Sequence, residues 1–127
     1  MHSFEQLKQL IRTSDPAGKY EAILNLAQCD GEPNAVAEYL VKLMDLADEN
    51  SLGAATRVLS ELGPRAIPSL IAALQNENVR IRWRAAKALG ELGQDAEAAL
   101  PALTVAQDDE EKRVRIWSAK AIKQIAR

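Results

Sequence analysis

The residues of this sequence best suited to contact a ligand are tryptophans and arginines. Trp83 and Arg84 are adjacent, and Trp117 lies in a later segment that also carries basic residues. Trp and Arg are the residue types most enriched where protein interfaces concentrate their binding energy. This combination points to recognition of a partner through an exposed surface.

Catalysis finds little support among the residue types present. The single histidine, His2, stands at the start of the chain, and a nucleophile needs a base that a third group orients. For the single cysteine, Cys29, we expect a small apolar packing role at the end of a helix. Neither metal-ligand spacing nor a phosphate-binding glycine loop occurs. We therefore predict that the protein is not an enzyme and holds no metal or cofactor.

Charge and composition restrict the choice of partner. The net charge of −2 argues against generic nucleic-acid binding. Residues 1–63 carry five Lys/Arg against ten Asp/Glu, a balance of −5, whereas residues 64–127 carry eleven against eight, a balance of +3. The sequence offers no signal peptide, no membrane-spanning run and no intramolecular disulfide. We expect a cytoplasmic protein that does not bind membranes.

The elements that carry these residues form a repeat. Sliding residues 66–92 by 33 positions onto 99–125 gives ten identities in 27 positions. A fainter copy lies 30 residues upstream, where residues 59–63 match residues 89–93 at four of five positions. The change from 30 to 33 predicts about three extra residues after Gly93. Such self-similarity is the signature of a solenoid of stacked units.

Apolar periodicity and capping signals predict helices throughout. Gly63 and Gly93 suit the ends of helices, and residues 3–6 are expected to form a capping box. The expected N-caps are Asn78, Asp95 and either Asp108 or Asp109. The predicted helices lie near 3–13, 17–28, 34–48, 51–62, 66–75, 79–92, 96–107 and 111–126. The fold class is all-α, a right-handed α-solenoid of about four helical hairpins. We predict one domain with a diverged N-terminal cap over 1–33 and repeats over 34–63, 64–93 and 94–127.

Segments 81–89 and 114–122 resemble the V-R-x-x-A-A-x-A-L signature of HEAT repeats, specifically the short bacterial kind named after phycobilisome lyases. Pro68 and Pro101 match the proline in that family's first helix. The resemblance is good over residues 55–127 and weak over 1–54. It implies that Arg82 and Arg115, the arginines of the motif, bond within the turn or to the adjacent repeat and do not contact a ligand.

In HEAT-type stacks the second helices line the concave surface, and this places the basic and tryptophan residues in one row. The row lies opposite the apolar stripe of the sixth helix and repeats at a spacing of 33 in the eighth, while Arg57 extends it upstream. We predict that this row binds the partner. Its members are Arg57, Arg80, Trp83, Arg84, Lys87, Arg113, Ile116, Trp117 and Lys120.

The function expected from this row is protein binding, as an adaptor or as a small inhibitor or immunity-type protein. An alternative that the resemblance implies is a subunit or accessory of a phycobilin lyase-like enzyme, although one fold serves many functions. Nucleic-acid binding, as in HEAT-like DNA glycosylases, is a minor alternative because the acidic half opposes it.

Two further surfaces are possible sites of contact. Glu38, Asp45, Asp48 and Glu49 form an acidic row around the third helix, which is either a solvated face or a dock for a basic partner. Trp117, Ile122 and Ile125 are expected near the C-terminal edge, which offers a second surface, for self-association.

Overall fold

A computed structural model describes residues 2–45 and 48–127 of the chain. Within these residues eight α-helices follow one another with no named strand. They are α1 (Phe4–Thr13), α2 (Pro16–Asn25), α3 (Pro33–Leu43), α4 (Glu49–Leu62), α5 (Ile67–Ala73), α6 (Val79–Leu92), α7 (Leu100–Ala106) and α8 (Lys112–Ile125). The predicted all-α solenoid is confirmed.

The helices pair in chain order into four hairpins, and α2, α4, α6 and α8 form the layer of second helices. The second helices pack on one another in chain order, α2 on α4, α4 on α6 and α6 on α8, while α3 packs on α5 in the outer layer. This arrangement buries the apolar face that a single hairpin would expose. The predicted division into a cap and three repeats with those boundaries stays a prediction.

Side-chain caps fix where several helices begin. Ser3 accepts from the Gln6 amide at 3.3 Å, which is half of the predicted capping box, and Asn78 caps α6 through the Arg80 amide at 2.9 Å. The chain after α3 enters a turn at Met44–Asp45, and Asp48 caps α4. The prediction of one helix over 34–48 was therefore too long. Of that range, residues 46 and 47 lie outside the described residues.

Short 3₁₀ segments explain the unequal repeat spacing. Gly63 and Gly93 end α4 and α6 with positive φ angles of 58° and 62°, a conformation that costs glycine little. The 3₁₀ segment Gly63–Ala66 that follows α4 has four residues, whereas Gly93–Ala99 after α6 has seven. The difference of three is the predicted insertion. Asp95 lies inside the longer segment, so the prediction that it caps a helix was wrong. The prediction of an N-cap at Asp108 or Asp109 was also wrong, because the N-cap of α8 is Glu111.

The core is aliphatic and rich in small side chains. Leu40, Leu59, Leu70, Leu89 and Leu103 are fully buried, one or two in each of the last three hairpins. Alanines fill the spaces between them and let the helices approach closely. These alanines include Ala37, Ala55, Ala85, Ala86, Ala96 and Ala99.

Gly90 allows the tightest of these contacts, between α6 and α8. A Cβ atom at this position would lie 3.0 Å from the Cα of Ala121 and 2.2 Å from the side-chain oxygen of Gln124. Because the first of these neighbours is backbone, a side chain at Gly90 would push the two helices apart. This close approach sets the distance between the surfaces of α6 and α8.

No described helix is both long and apolar enough to cross a bilayer.

Candidate protein-binding surface

Trp83 of α6 and Trp117 of α8 lie against each other across the two helices. Their ring centroids are 6.1 Å apart and the ring planes are inclined by 22°, which is a stacked arrangement. Both side chains are half-buried. Such a pair stabilises by about 0.5–1.5 kcal/mol beyond the burial of its surface. The stack therefore gives the surface a rigid apolar centre.

Four cations surround the two rings. The guanidinium carbons of Arg84 and Arg113 are each 5.0 Å from the centroid of Trp83. The Nζ atoms of Lys87 and Lys120 lie 5.3 Å and 4.8 Å from the centroid of Trp117. A cation within about 6 Å of an aromatic centroid is attracted to the ring. These six residues are called the tryptophan–cation cluster below: Trp83, Arg84, Lys87, Arg113, Trp117 and Lys120.

Arginines attach one edge of this cluster to the turn after α3. Arg84 donates from Nη1 to the backbone carbonyl of Met44. Arg80 contacts one carboxylate oxygen of Asp45 through Nη2 at 2.7 Å and through Nε at 2.9 Å. Burial and the neighbouring Arg80 guanidinium lower the pKa of Arg84 from its ordinary value. Hydrogen bonds from Asn78 and Arg80 lower the pKa of Asp45.

An open groove of about 410 Å³ lies beside Trp83, between α4 and α6. Leu52, Gly53, Thr56 and Ala88 line it together with Trp83. A Cβ atom added at Gly53 would meet no atom within 4 Å, so the groove is open above this residue. Its charged lining residues are Glu49, Arg84 and Lys87. The groove is thus an apolar depression with a mostly basic rim.

The remaining predicted row residues lie around the cluster. Ile116 is 43% exposed and lines a second hollow of about 420 Å³ with Trp117, on the far side of α8. Arg80 is held by Asp45. Arg57 pairs with Glu61 at 3.4 Å and lines a smaller hollow against the end of α2. Arg57 therefore does not share a hollow with either tryptophan.

The arginines of the repeat motif make intramolecular contacts in the turns. Arg82 contacts the carboxylate of Asp109 in the next hairpin at 3.0 Å and donates to the backbone carbonyls of Asn76 and Glu77. Arg115 donates to the carbonyl of Asp109 at 2.8 Å. Pro68 and Pro101 are exposed in the first turns of α5 and α7.

The acidic residues predicted as a second row do not act as one surface. Asp45 pairs with Arg80, and Asp48 is occupied by the Asn50 amide and the Ser51 hydroxyl at the start of α4. Glu49 faces the groove beside Trp83, whereas Glu38 lines a hollow of about 450 Å³ between α3 and α5. One predicted acidic residue is therefore bound to the predicted basic row.

The two residues considered for catalysis, His2 and Cys29, make structural contacts elsewhere in the protein. The backbone carbonyl of His2 accepts from the amide of Asp30 at 2.8 Å, which ties the start of the chain to the segment before α3. Cys29 is a free, half-buried thiol that packs against the core. Residues 2–45 and 48–127 contain no group of three or more His, Cys, Asp or Glu side chains placed to hold a metal ion.

Sequence reasoning missed Gly53 and the carbonyl of Met44. The repeat itself held the signal for Gly53, because this residue stands 30 positions before Trp83 and thus at the equivalent place on α4. A glycine where the next repeats have Trp83 and Ile116 leaves space on the surface. No sequence signal points to Met44, because its contribution is a backbone atom.

Comparison with known proteins gives the family and the fold. A family model of HEAT repeats matches residues 37–123. Human deoxyhypusine hydroxylase, solved in complex with glycerol, is 27% identical with a TM-score of 0.66 over 99% of this chain and 44% of that chain. The CpcE–CpcF complex of phycocyanin lyase from Nostoc sp. PCC7120 is 23% identical with a TM-score of 0.60, covering 96% of this chain and 79% of that one.

A designed armadillo repeat protein in complex with the peptide (KR)4 is 21% identical with a TM-score of 0.50, covering 94% of this chain and 62% of that one. The chain therefore spans less than two thirds of the length of the human enzyme and of the designed protein. No curated protein matches it in sequence. Since the HEAT-repeat model covers more than half of the chain and these structures share its helical solenoid, the chain belongs to the HEAT repeat family.

Proposed function

We propose that the chain is a protein-interaction module, an adaptor or a small inhibitor, that binds its partner through the second-helix surface. The observation that carries the proposal is the tryptophan–cation cluster, where two stacked indoles and four cations lie beside an open apolar groove. Interface hot spots combine these residue types, and an apolar centre with a polar rim is their usual anatomy.

The neighbouring contacts favour this surface over others. Ile116 adds exposed apolar area next to Trp117. The stack and its cations are already ordered by contacts within the protein, so less side-chain entropy is lost on binding. A preorganised patch of this kind supports binding without rearrangement of the helices.

Affinity enrichment from the native host, compared between variants, tests the proposal. The double variant Trp83→Ala/Arg84→Ala removes one indole and one cation from the cluster. The matched control Val105→Ala/Arg65→Ala removes one exposed apolar side chain and one exposed cation elsewhere. We expect the partner to be lost with the first variant and retained with the control. Equal enrichment by both variants, each shown to be folded by circular dichroism, would refute the proposal.

A second candidate is an accessory role in bilin handling, favoured by the similarity to the phycocyanin lyase complex. A bilin has carboxylates that the cations of the cluster would attract. Titrating the protein with phycocyanobilin distinguishes this role, because a bound bilin changes its visible absorbance. An unchanged spectrum at micromolar protein would exclude it.

Nucleic-acid binding is less favoured by the same contacts. Single-stranded nucleic acids bind by stacking bases on aromatic rings. Trp83 and Trp117 already stack on each other, and each has two cations close to its ring. A base would have to displace one of these neighbours.

A further inference from the structure

Two glycines lie on α4 and α6 with opposite surroundings, and of these Gly53 lines the groove between the two helices. Gly90 lets α8 approach α6 closely on one side. On the other side, α4 and α6 are in contact over a shorter stretch, and Gly53 leaves the space beside Trp83 empty. Gly53, Trp83 and Ile116 stand at equivalent positions of α4, α6 and α8, so the groove lies where a large side chain is missing.

The lining of the groove suits an apolar side chain. Leu52, Ala88 and the indole of Trp83 offer apolar surface, and α4 and α6 hold them on rigid backbone. The groove, with a volume of about 410 Å³, is large enough to hold several water molecules. Releasing this water from apolar walls favours the entry of one bulky aliphatic or aromatic group.

The charges around the groove determine what must flank that group. Arg80 is neutralised by Asp45, while Arg84, Lys87, Arg113 and Lys120 surround the indoles. Glu49 is the acidic residue in the lining. The charge beside the two indoles is therefore positive, and it attracts carboxylates that flank the apolar group in the partner.

We propose that the groove beside Gly53 receives one bulky apolar side chain from an acidic segment of the partner, whose carboxylates contact the cations of the cluster. This rests on the proposed function and names the chemistry of the segment that the surface recognises. Two features fix the specificity: the empty position at Gly53 selects the apolar group, and the four cations select the acidic flanks.

Fluorescence anisotropy with synthetic peptides tests this without knowledge of the natural partner. The probe is a fluorescein-labelled peptide of about nine residues with a central leucine among glutamates. The comparison peptides replace the leucine by glycine or the glutamates by lysines. We expect the leucine peptide to bind about 10- to 100-fold more tightly than the glycine peptide, the range for burying one such side chain. We expect no binding of the lysine peptide.

Variants at Gly53 locate the binding site. Gly53→Trp fills the groove from an exposed helical position, and we expect it to weaken binding of the leucine peptide at least tenfold. Gly53→Ala is the matched control and should keep most of the affinity. Gly53→Leu serves as a second filling variant, and circular dichroism checks the folding of each.

The results separate this proposal from the proposed function. Failure of the leucine peptide to bind, or equal binding to wild type and to both filling variants, would overturn the proposal about the groove. The proposed function is judged separately by the enrichment comparison with Trp83→Ala/Arg84→Ala. Loss of the native partner there together with no peptide binding would keep the surface and reject the acidic, leucine-type segment.

Discussion

Replacing Arg82 with alanine should destabilise the protein more than the replacement of any exposed arginine. Its guanidinium contacts the Asp109 carboxylate at 3.0 Å and 3.4 Å and donates to the carbonyls of Asn76 and Glu77 at 2.9 Å and 3.1 Å. Both side chains of the ion pair are only 13% exposed. Breaking a buried pair costs about 3–5 kcal/mol.

The lower end of that range applies here, because Asp109 keeps the hydrogen bond from the Glu111 amide. We expect Arg82→Ala to lower the free energy of unfolding by about 3 kcal/mol. Urea unfolding followed by circular dichroism measures this. The matched control is Arg115→Ala, which removes an exposed arginine with a bond to the Asp109 carbonyl. We expect a loss of about 1 kcal/mol for the control. Losses of equal size would refute the conclusion that the Arg82–Asp109 pair stabilises the contact between the third and fourth hairpins.

Three further predictions concern stability. Gly90→Ala should lower the free energy of unfolding by about 1–3 kcal/mol because the new methyl group meets the backbone of α8. Gly53→Ala should raise the free energy of unfolding by up to about 1 kcal/mol because no atom lies near the new methyl group. A change of the same sign for both variants would contradict the role of Gly90 in the close approach of α6 and α8. Ser118→Ala should raise the free energy of unfolding by about 1 kcal/mol, since the hydroxyl oxygen is buried without a hydrogen-bond partner in the part of the chain that the structure describes. A lower free energy of unfolding in urea would contradict this. The lowered pKa of Asp45 means that its stabilising effect is present above the unfolded value and lost as the pH falls through the folded one. The difference in stability between wild type and Asp45→Asn should therefore shrink as the pH falls below the ordinary pKa of an aspartate side chain, and a difference that stays constant through the acid range would be inconsistent with this ionisation.

Much of the fold can be predicted from the sequence because the last two repeats share identical residues at matching positions. The match of residues 66–92 with 99–125 and the helix-ending glycines predict the hairpins of the C-terminal half. The extra residues after Gly93 appear as a longer 3₁₀ segment. The end of α3 could not be read in the same way. Apolar periodicity continues past Leu43, and the cap that Asp48 forms on α4 competes with it.

The composition of the tryptophan–cation cluster could be predicted, but its geometry could not. A spacing of 33 places Trp83 opposite Ile116 in register, yet the structure stacks Trp83 on Trp117. The shift of one helix along its neighbour depends on how closely they pack, and no periodicity reports this. For the same reason the contact between Asp45 and Arg80, which are 35 residues apart, was not foreseen.

Side-chain footprinting of the chain with its captured partner tests the central claim most directly. Hydroxyl radicals oxidise exposed side chains, and mass spectrometry locates the protection that a partner provides. Ile116 is 43% exposed on the proposed surface, while Val105 and Leu10 are 70% and 48% exposed on other helices and serve as internal controls. We expect the partner to protect Trp83, Ile116 and Trp117 and to leave Val105 and Leu10 unchanged. Protection of Val105 or Leu10 with unaltered oxidation of the tryptophans would contradict binding through the second-helix surface.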